Sequence, residues 1–292
     1  MLGATPLVTT KWMGEHISTL REERGYTREQ LAERAGWSGK SLVGHLEAAV
    51  RQFNPDHVAA LLPALGRAEH VARYQKLVTD AAGKGEWWRG LLPRDKAERR
   101  KLRELELFLS YESSATRIRL YEPYAVPDLL QTPAYAEHVL RVTRPPHAEL
   151  RRALLPGRQA LLCGAEPTEL HVVLDETAVR RRVGGKPVLR AQLRHLAARA
   201  AQGNVTVRVL PPAAGLPSAE GNFSVLDMPA ELDGHPGVAY VRTPRGWVCH
   251  ERADEVADFG ARWERIAAQA LPAERSAELI TGWAGEPQGD AR

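Results

Sequence analysis

Residues 17–47 form three short amphipathic segments, and a glycine closes each of the first two. The segments run from Ile17 to Gly25, from Tyr26 to Gly36 and from Trp37 to Glu47. Glycine readily takes the left-handed backbone conformation in which many helices end. Very short helices are unstable alone and are stabilised by packing against one another. The pattern therefore predicts a compact unit of short helices joined by tight turns.

Polar residues at the starts of these segments predict where each helix begins. Thr27 and Gln30 have the spacing of a capping box, in which each side chain bonds to the backbone N–H of the other residue. Ser38 is the expected N-cap of the third helix. The run Asn54-Pro55-Asp56 opens a fourth helix, whose predicted core face consists of Val58, Leu61, Leu62 and Leu65.

This arrangement is typical of a helix-turn-helix, which usually places one helix in the major groove of DNA. We expect the third helix to be that recognition helix, with Arg28 and Arg51 near phosphates. The candidate DNA-contacting residues are Arg28, Gln30, Ser38, Lys40, Ser41, Gly44, His45 and Arg51. The alternative interpretation is a small helical bundle that mediates protein contacts only.

Charge and cysteine content are consistent with a nucleic-acid partner and a cytosolic location. The first 100 residues hold 16 Lys and Arg against 12 Asp and Glu, so the whole net charge of +4 lies in the N-terminal third. No opening signal-peptide pattern or long apolar run is present, so we expect no membrane association. Cys163 and Cys249 are isolated and lack metal-ligand spacing, which predicts neither a disulfide framework nor a metal site.

The remaining two thirds of the chain alternates between helical and strand patterns. Strands are predicted at 118–122, 170–175, 204–210, 222–228 and 237–242, and helices at 134–142, 147–162, 187–201, 253–271 and 273–283. Pro156-Gly157 is expected to interrupt the second of these helices. The predicted organisation is a helix-turn-helix domain at 11–68, a helical linker at 69–104, a mixed α/β domain at 105–284 and a flexible tail at 285–292.

Several sequence segments of the second domain resemble those of a known family. They are Tyr121–Ala136, Arg158–Leu162, Val173–Gly185, Gln192–Leu196 and Val205–Pro211. With the N-terminal unit, they resemble the actinobacterial XRE-family (Cro/CI-type) helix-turn-helix regulators that carry an antitoxin-like C-terminal domain. The resemblance implies an α-helical Cro/CI-type domain followed by a mixed α/β domain. It also implies transcriptional control, often with a small partner protein encoded nearby, and no established chemistry.

The recognition helix departs from that family's pattern. Relatives usually end this helix in Ser-Arg-Ile-Glu, whereas this chain has Gly44-His-Leu-Glu47. Loss of the arginine removes a base or phosphate contact worth about 1–3 kcal/mol of discrimination. Gly44 also destabilises a helix by about 1 kcal/mol relative to alanine. We therefore expect weaker DNA binding or a different operator.

Two groups of residues in the second domain are candidate ligand-binding sites. The first consists of Asp175, Glu176, Arg180, Arg181, Arg182 and His195, in which carboxylates and guanidinium groups follow a strand. The alternative is that Asp175 and Glu176 cap a helix and pair with arginines on its surface. The second group consists of Tyr124, Gln131, Tyr135 and Arg158, which either line a pocket or are half-buried packing residues.

The sequence as a whole predicts a DNA-binding transcriptional regulator that acts as a homodimer on a pseudo-palindromic site. The second domain would sense a small-molecule effector or dock a partner protein. Catalytic motifs such as Gly-x-Ser-x-Gly, a phosphate-binding loop and His-Glu-x-x-His are absent, so no enzyme activity or cofactor is expected. The alternatives are an antitoxin-like interaction module with weakened DNA binding, and a pathway enzyme with a vestigial helix-turn-helix.

Overall fold

A computed structural model describes residues 3–215, 221–243 and 246–285 of the chain. It divides into two compact units. The first spans Met1–Trp87 together with Met228–His235, and the second spans Trp88–Asp227 together with Pro236–Arg292. The segment expected to be a linker, 69–104, is therefore divided between the two units. Of the expected flexible tail, only residue 285 lies within the described residues, and it ends a helix.

The first unit is helical throughout its secondary structure. Its helices are α1 (Pro6–Glu23), α2 (Arg28–Arg34), α3 (Ser41–Glu47), α4 (Pro55–Ala64) and α5 (Val71–Lys84). Gly25 and Gly36 follow α1 and α2 with φ values of +67° and +75°, as the turn pattern predicts. The capping boxes Thr27/Gln30 and Asn54/His57 open α2 and α4. Val43, Leu46, Val58, Leu61, Leu62 and Leu65 are fully buried in the core of this unit.

The N-cap predicted for the third helix is wrong. Helix α3 begins at Ser41, and Ser38 lies in the preceding turn, where it is exposed. The backbone N–H groups of Gly36 and Trp37 bond back to α2, so the chain needs residues 38–40 to complete the turn. The first helical N–H, that of Gly44, bonds to the Lys40 carbonyl oxygen at 3.0 Å. Ser38 is therefore too early in the chain to cap this helix.

Residues 228–235 belong to this helical unit although they are distant in sequence. The indole Nε1 of Trp12 donates a hydrogen bond to the backbone oxygen of Asp233 at 3.2 Å. The Arg73 guanidinium lies 3.9 Å from the Asp233 carboxylate. These contacts hold the segment against α1 and α5.

The second unit is built on a six-stranded sheet of order β3-β2-β1-β4-β5-β6. The strands are β1 (Arg117–Glu122), β2 (Glu169–Asp175), β3 (Val205–Leu210), β4 (Phe223–Asp227), β5 (Val238–Thr243) and β6 (Gly246–His250). Strands β1, β2 and β3 are parallel to one another, and β4, β5 and β6 add to β1 in antiparallel fashion. The five predicted strands are confirmed, and β6 is additional.

Eight helices surround this sheet in the described residues. They are α6 (Lys96–Arg100), α7 (Arg103–Ser114), α8 (Pro133–Thr143), α9 (Ala148–Gln159), α10 (Glu176–Arg180), α11 (Lys186–Ala200), α12 (Ala253–Gln269) and α13 (Ala273–Gly285). The interruption predicted at Pro156-Gly157 is wrong, because α9 continues through Pro156. The bonds from the Arg158 guanidinium to Glu112 and Asp128 hold the last turn of α9 in place. None of the helices described is both long and apolar enough to cross a bilayer.

The two faces of the sheet bury different kinds of side chain. On one face, Tyr121, Val173, Phe223 and Val225 pack against the apolar side of α12, which includes Val256, Trp263 and Ile266. Because strand residues alternate between faces, Ile118, Leu120 and Glu122 point to the opposite face. There Phe108 of α7 stacks on Trp247 with ring centroids 4.6 Å apart. A carboxylate, Glu122, thus ends an otherwise apolar row.

Candidate functional site

The exposed face of α3 is the candidate DNA-binding surface of the first unit. Val43 and Leu46 face the core, whereas Ser41 and His45 are exposed and Gly44 is half-buried. Lys40, just before the helix, is 61% exposed and pairs with Glu29 at the start of α2, with 2.6 Å between Nζ and Oε1. Small and polar groups therefore cover the solvent side of α3.

A buried ion pair holds this helix in position. The Glu47 carboxylate at the end of α3 is only 2% exposed and accepts bonds from Arg21 Nε and Arg28 Nε, both at 2.6 Å. The hydrogen bond to Glu47 raises the pKa of Arg21. Arg21 also donates to the Tyr26 carbonyl oxygen at 3.0 Å. The pair therefore ties α3 to α1 and to the turn before α2.

The remaining DNA-contact candidates lie around the same helix. Gln30 is exposed, but its side-chain oxygen accepts the Thr27 N–H in the capping box at 2.8 Å. Arg28 is half exposed and bonds to Glu47. The Arg51 N–H bonds to the His45 carbonyl oxygen at 3.2 Å, which places Arg51 directly after α3, and its side chain is exposed. The eight candidates thus surround α3 and the start of α2, and their DNA contacts stay predictions.

The second unit contains a cavity of about 470 Å³ on the sheet face opposite to α12. Helices α8 and α9 supply an apolar wall, consisting of Ala136, Val139, Leu140, Leu154 and Leu155. The ends of the central strands and the loop after β1 supply a polar wall, consisting of Glu122, Tyr124, Asp128, Gln131, Asn222 and Arg242. Arg151, Arg158 and Trp247 also line the cavity. A volume of several hundred cubic ångströms is typical of small-molecule sites.

A network of buried ion pairs fixes two arginines of the polar wall. Arg158 makes a bidentate contact with Glu112, with bonds of 2.7 and 2.8 Å, and a third bond of 2.9 Å to Asp128. Arg242 donates to the same Asp128 carboxylate at 3.1 Å. Burial alone would raise the pKa of Asp128, but Arg242 and Arg158 together hold it well below its usual range. Asp128 therefore stays ionised between two guanidinium groups.

Glu122 behaves differently from Asp128, because none of the arginines that the structure describes bonds to it directly. Burial raises its pKa to about 7, against the opposing effects of Arg242 and of a hydrogen bond from Asn222. The Asn222 amide donates to Glu122 Oε1 at 3.1 Å. This carboxyl group is therefore partly protonated near neutral pH.

Arg151 lies at the other side of the cavity, on α9. Its guanidinium carbon is 4.3 Å from the centre of the Trp247 ring, and its Nε donates to the Pro146 carbonyl oxygen at 3.1 Å. Burial, followed by repulsion from Arg242, lowers its pKa to about 10. The group remains a cation at neutral pH.

Comparisons with known families give one match for each unit. Residues 12–73 match a family described as a helix-turn-helix domain. Residues 105–282, well over half of the chain, match the family described as a domain of unknown function (DUF5753). The chain belongs to the DUF5753 family. No curated protein and no solved structure matches the chain.

These matches confirm the fold class, a helical helix-turn-helix unit followed by a mixed α/β DUF5753 domain. The helix-turn-helix match supports a DNA-binding regulator. Three finer predictions stay predictions, namely membership of the XRE family, an actinobacterial origin and an antitoxin-like second domain.

The DUF5753 cavity includes part of the second predicted group. Tyr124, Gln131 and Arg158 line it. Tyr135 is fully buried beside the loop after β1, and its hydroxyl accepts the Val126 N–H at 3.2 Å. Gln131 donates to the Val126 carbonyl oxygen at 2.7 Å, so it also shapes that loop.

The first predicted group lies elsewhere in the DUF5753 domain, and none of its members lines the cavity. Asp175 caps α10 by accepting the Thr177 N–H at 2.8 Å, and Glu176 pairs with Arg180 along the helix at 3.0 Å. This geometry is that of the alternative interpretation, a capped surface helix. Arg181 and Arg182 are exposed, and His195 on α11 is half-buried, which lowers its pKa. Binding by these residues stays a prediction.

Sequence reasoning missed several polar residues of the cavity, namely Glu122, Asp128, Arg151, Asn222, Arg242 and Trp247. Two of them, Glu122 and Asp128, lie inside the segment Tyr121–Ala136, whose family resemblance could have drawn attention to them. The others come from separate elements and carry no local motif. In the described parts of the chain, no cluster of three or more His, Cys, Asp or Glu side chains is placed to hold a metal ion.

Proposed function

We propose that this protein is a cytoplasmic, sequence-specific transcriptional regulator whose DUF5753 domain senses a small molecule. In this proposal α3 reads duplex DNA, and two copies of the chain bind a pseudo-palindromic operator. The observation that carries the sensing role is the cavity of about 470 Å³, which combines an apolar wall with buried arginines. No catalytic step is assigned to the domain.

The composition of the α3 face supports the reading role. Gly44 has no side chain, and a Cβ added there would meet only Arg28 Cδ, at 3.9 Å. The backbone at this position is therefore accessible to a phosphate or base edge. Lys40 and Glu29 are both more than half exposed, and such a pair contributes little stability. A DNA phosphate can accordingly replace Glu29 as the partner of Lys40.

The dimer is supported by the small area that one recognition helix covers. Half-sites about one helical turn apart allow two copies to bind together, which multiplies affinity. Light scattering of the free and DNA-bound protein measures this stoichiometry. One copy per operator would contradict the dimer while leaving the role of α3 intact.

The reading role is tested by selecting bound sequences from random duplexes with the full-length protein at two salt concentrations. We expect one enriched motif with two half-sites and an affinity that falls steeply with salt. The double variant Lys40→Ala/His45→Ala should abolish the preference for this motif. Lys76→Ala is the matched control, because Lys76 is an exposed lysine of the same unit on α5. Unchanged operator affinity in the double variant would contradict the proposal.

A second candidate is an antitoxin-like interaction module with weakened DNA binding. It is favoured by the Glu47 carboxylate, which partly neutralises Arg28, the residue expected at a phosphate. The absence of an arginine at positions 44–46 favours it as well. Copurification of a small protein partner, together with no enriched duplex in the selection, would favour this candidate over the regulator.

A further inference from the structure

The strongest unexplained feature of the cavity is Arg151. The other two lining arginines are neutralised by carboxylates, Arg158 by Glu112 and Asp128, and Arg242 by Asp128. Among the residues that the structure describes, Arg151 has no carboxylate within ion-pair distance. Its guanidinium Nε donates a hydrogen bond to the Pro146 carbonyl oxygen, at 3.1 Å.

The geometry of Arg151 suits a particular kind of partner. Its guanidinium carbon lies 4.3 Å from the centre of the Trp247 ring, a cation–π contact that restricts where the group can lie. A planar guanidinium offers parallel N–H donors that match the two oxygens of a carboxylate. A half-buried arginine held by these two contacts is therefore positioned to form a bidentate bond with such a group.

The charges around the cavity favour an anion over a cation. Two of the three arginines around the cavity pair with Glu112 and Asp128, and burial raises the pKa of the remaining carboxyl group, Glu122, to about 7. Asp128 is already occupied by two of those arginines. The carboxylate of a ligand would balance the charge of Arg151. The ammonium group of a ligand could pair only with Glu122, which already accepts a hydrogen bond from Asn222.

The wall next to Arg151 is apolar and continuous. Leu154 and Leu155 lie one turn along α9 from Arg151, so their side chains share its face. Ala136, Val139 and Leu140 of α8 line the same cavity. The volume lies within the range of about 300–1,000 Å³ that is typical of small-ligand sites. The anionic end of a ligand at Arg151 would therefore continue into a hydrocarbon body.

We propose that the DUF5753 cavity binds an organic monocarboxylate with an apolar body. The carboxylate bonds to Arg151, and the apolar body packs between α8 and α9. This inference rests on the proposed sensing function and specifies the chemical class of the ligand.

Decanoate, its methyl ester and decylammonium test the proposal, because they share one hydrocarbon chain and differ in the charge of the head group. Calorimetric titration of the full-length protein should show saturable binding of decanoate and at least tenfold weaker binding of the other two. Arg151→Met should weaken decanoate binding at least tenfold. Arg152→Met is the matched control, since Arg152 lies on the same helix and pairs with Glu137 on the surface.

A charge-preserving variant separates loss of the site from loss of the fold. Arg151→Lys keeps the cation but loses the planar pair of donors, so its affinity should lie between those of the wild type and Arg151→Met. The thermal unfolding midpoints of all variants verify that they are folded. Equal binding of decanoate and its ester, preference for decylammonium, or an unaffected Arg151→Met variant would overturn the carboxylate assignment while leaving small-molecule sensing intact. No saturable binding of any of the three compounds would likewise overturn the inference of a monocarboxylate with an apolar body.

Discussion

Replacing Glu122 with glutamine should stabilise the protein at alkaline pH and leave it almost unchanged at acidic pH. Burial raises the pKa of Glu122 from its ordinary value of 4.5 to about 7. Below pH 4.5 the carboxyl is protonated in both folded and unfolded chains, so no difference arises. Between pH 4.5 and about 7 the unfolded chain has released this proton while the folded chain still holds it, so stability falls across that range and levels off above it. Glutamine stays neutral throughout and retains an oxygen that accepts the Asn222 bond.

The size of the effect follows from the displacement of the pKa. Each pKa unit corresponds to about 1.4 kcal/mol, so the displacement of Glu122 amounts to roughly 3 kcal/mol of unfolding free energy at pH 8. Glu122 is only 7% exposed, so solvent screening does not reduce this figure much. The advantage of the Glu122→Gln variant should therefore grow from under about 1 kcal/mol at pH 5 to roughly 3 kcal/mol at pH 8.

Urea denaturation of the wild type and of Glu122→Gln at pH 5, 6, 7 and 8 measures this difference. Glu278→Gln is the matched control, because Glu278 is 64% exposed and pairs with Arg275 on the surface of α13. Its difference from the wild type should stay small across the same range. A difference for Glu122→Gln that does not change with pH would refute the reasoning, as would an ordinary titration midpoint for the Glu122 carboxyl by NMR.

Three further predictions test the packing, two of them with a comparison variant, and each is measured by urea denaturation of the full-length chain. Glu47→Ala should lower the unfolding free energy by about 3 kcal/mol, because it breaks a buried ion pair. Arg28 is half exposed, so Arg28→Ala should lower the unfolding free energy by less than about 1 kcal/mol. Equal losses in the two variants would contradict this reasoning. Gly14→Ala should destabilise by about 2 kcal/mol, since its Cβ would lie 2.6 Å from a carbonyl oxygen of α3. A Cβ at Gly83 in α5 would meet no atom within 4 Å, so Gly83→Ala should raise the unfolding free energy by about 1 kcal/mol. If Gly14→Ala and Gly83→Ala change the unfolding free energy in the same direction, this distinction is disproved. Gln192→Leu should lower the unfolding free energy by about 2 kcal/mol, because it removes hydrogen bonds of 2.7 Å from the Thr132 N–H and 2.6 Å to the Leu130 carbonyl oxygen. An unchanged unfolding free energy would show that these two backbone groups find other partners.

Features encoded within a few residues were predictable from the sequence. The capping boxes at Thr27/Gln30 and Asn54/His57 depend on a spacing of three residues, and the turns at Gly25 and Gly36 depend on one glycine each. The buried strands were visible because β-branched residues alternate or run together within one strand. Local chemistry determines all of these, and so the sequence pattern identifies them.

Features that depend on neighbouring elements were not predictable in the same way. Ser38 is a good N-cap residue, but the bonds that end α2 displace the N-cap of α3 by two residues, to Lys40. Pro156 usually interrupts a helix, yet the ion pairs of Arg158 hold α9 together beyond it. Strand β6 pairs only with β5 at the sheet edge, and its pattern is weak without that partner. Tertiary contacts decide these cases.

The cavity was only partly predictable because its residues come from elements that sheet order brings together. The loop after β1 is contiguous, so Tyr124 and Gln131 could be identified there. Arg242 follows them by more than a hundred residues, and only the antiparallel pairing of β4 with β1, and of β5 with β4, places it beside Asp128. No local sequence signal encodes that pairing.

The ion network of the cavity is better explained by binding than by stability. Buried pairs such as Arg158–Glu112 gain little over well-packed apolar residues of the same size, because both ions must be desolvated. The network does fix the two guanidinium groups of Arg158 and Arg242 and satisfies the charge of Asp128. Any added anion is thereby directed to Arg151, whose guanidinium, in cation–π contact with Trp247, has no carboxylate partner among the described residues. In the proposed function, a cavity that pairs Arg158 and Arg242 with carboxylates and leaves Arg151 for the ligand would have the selectivity that a sensor of carboxylates requires.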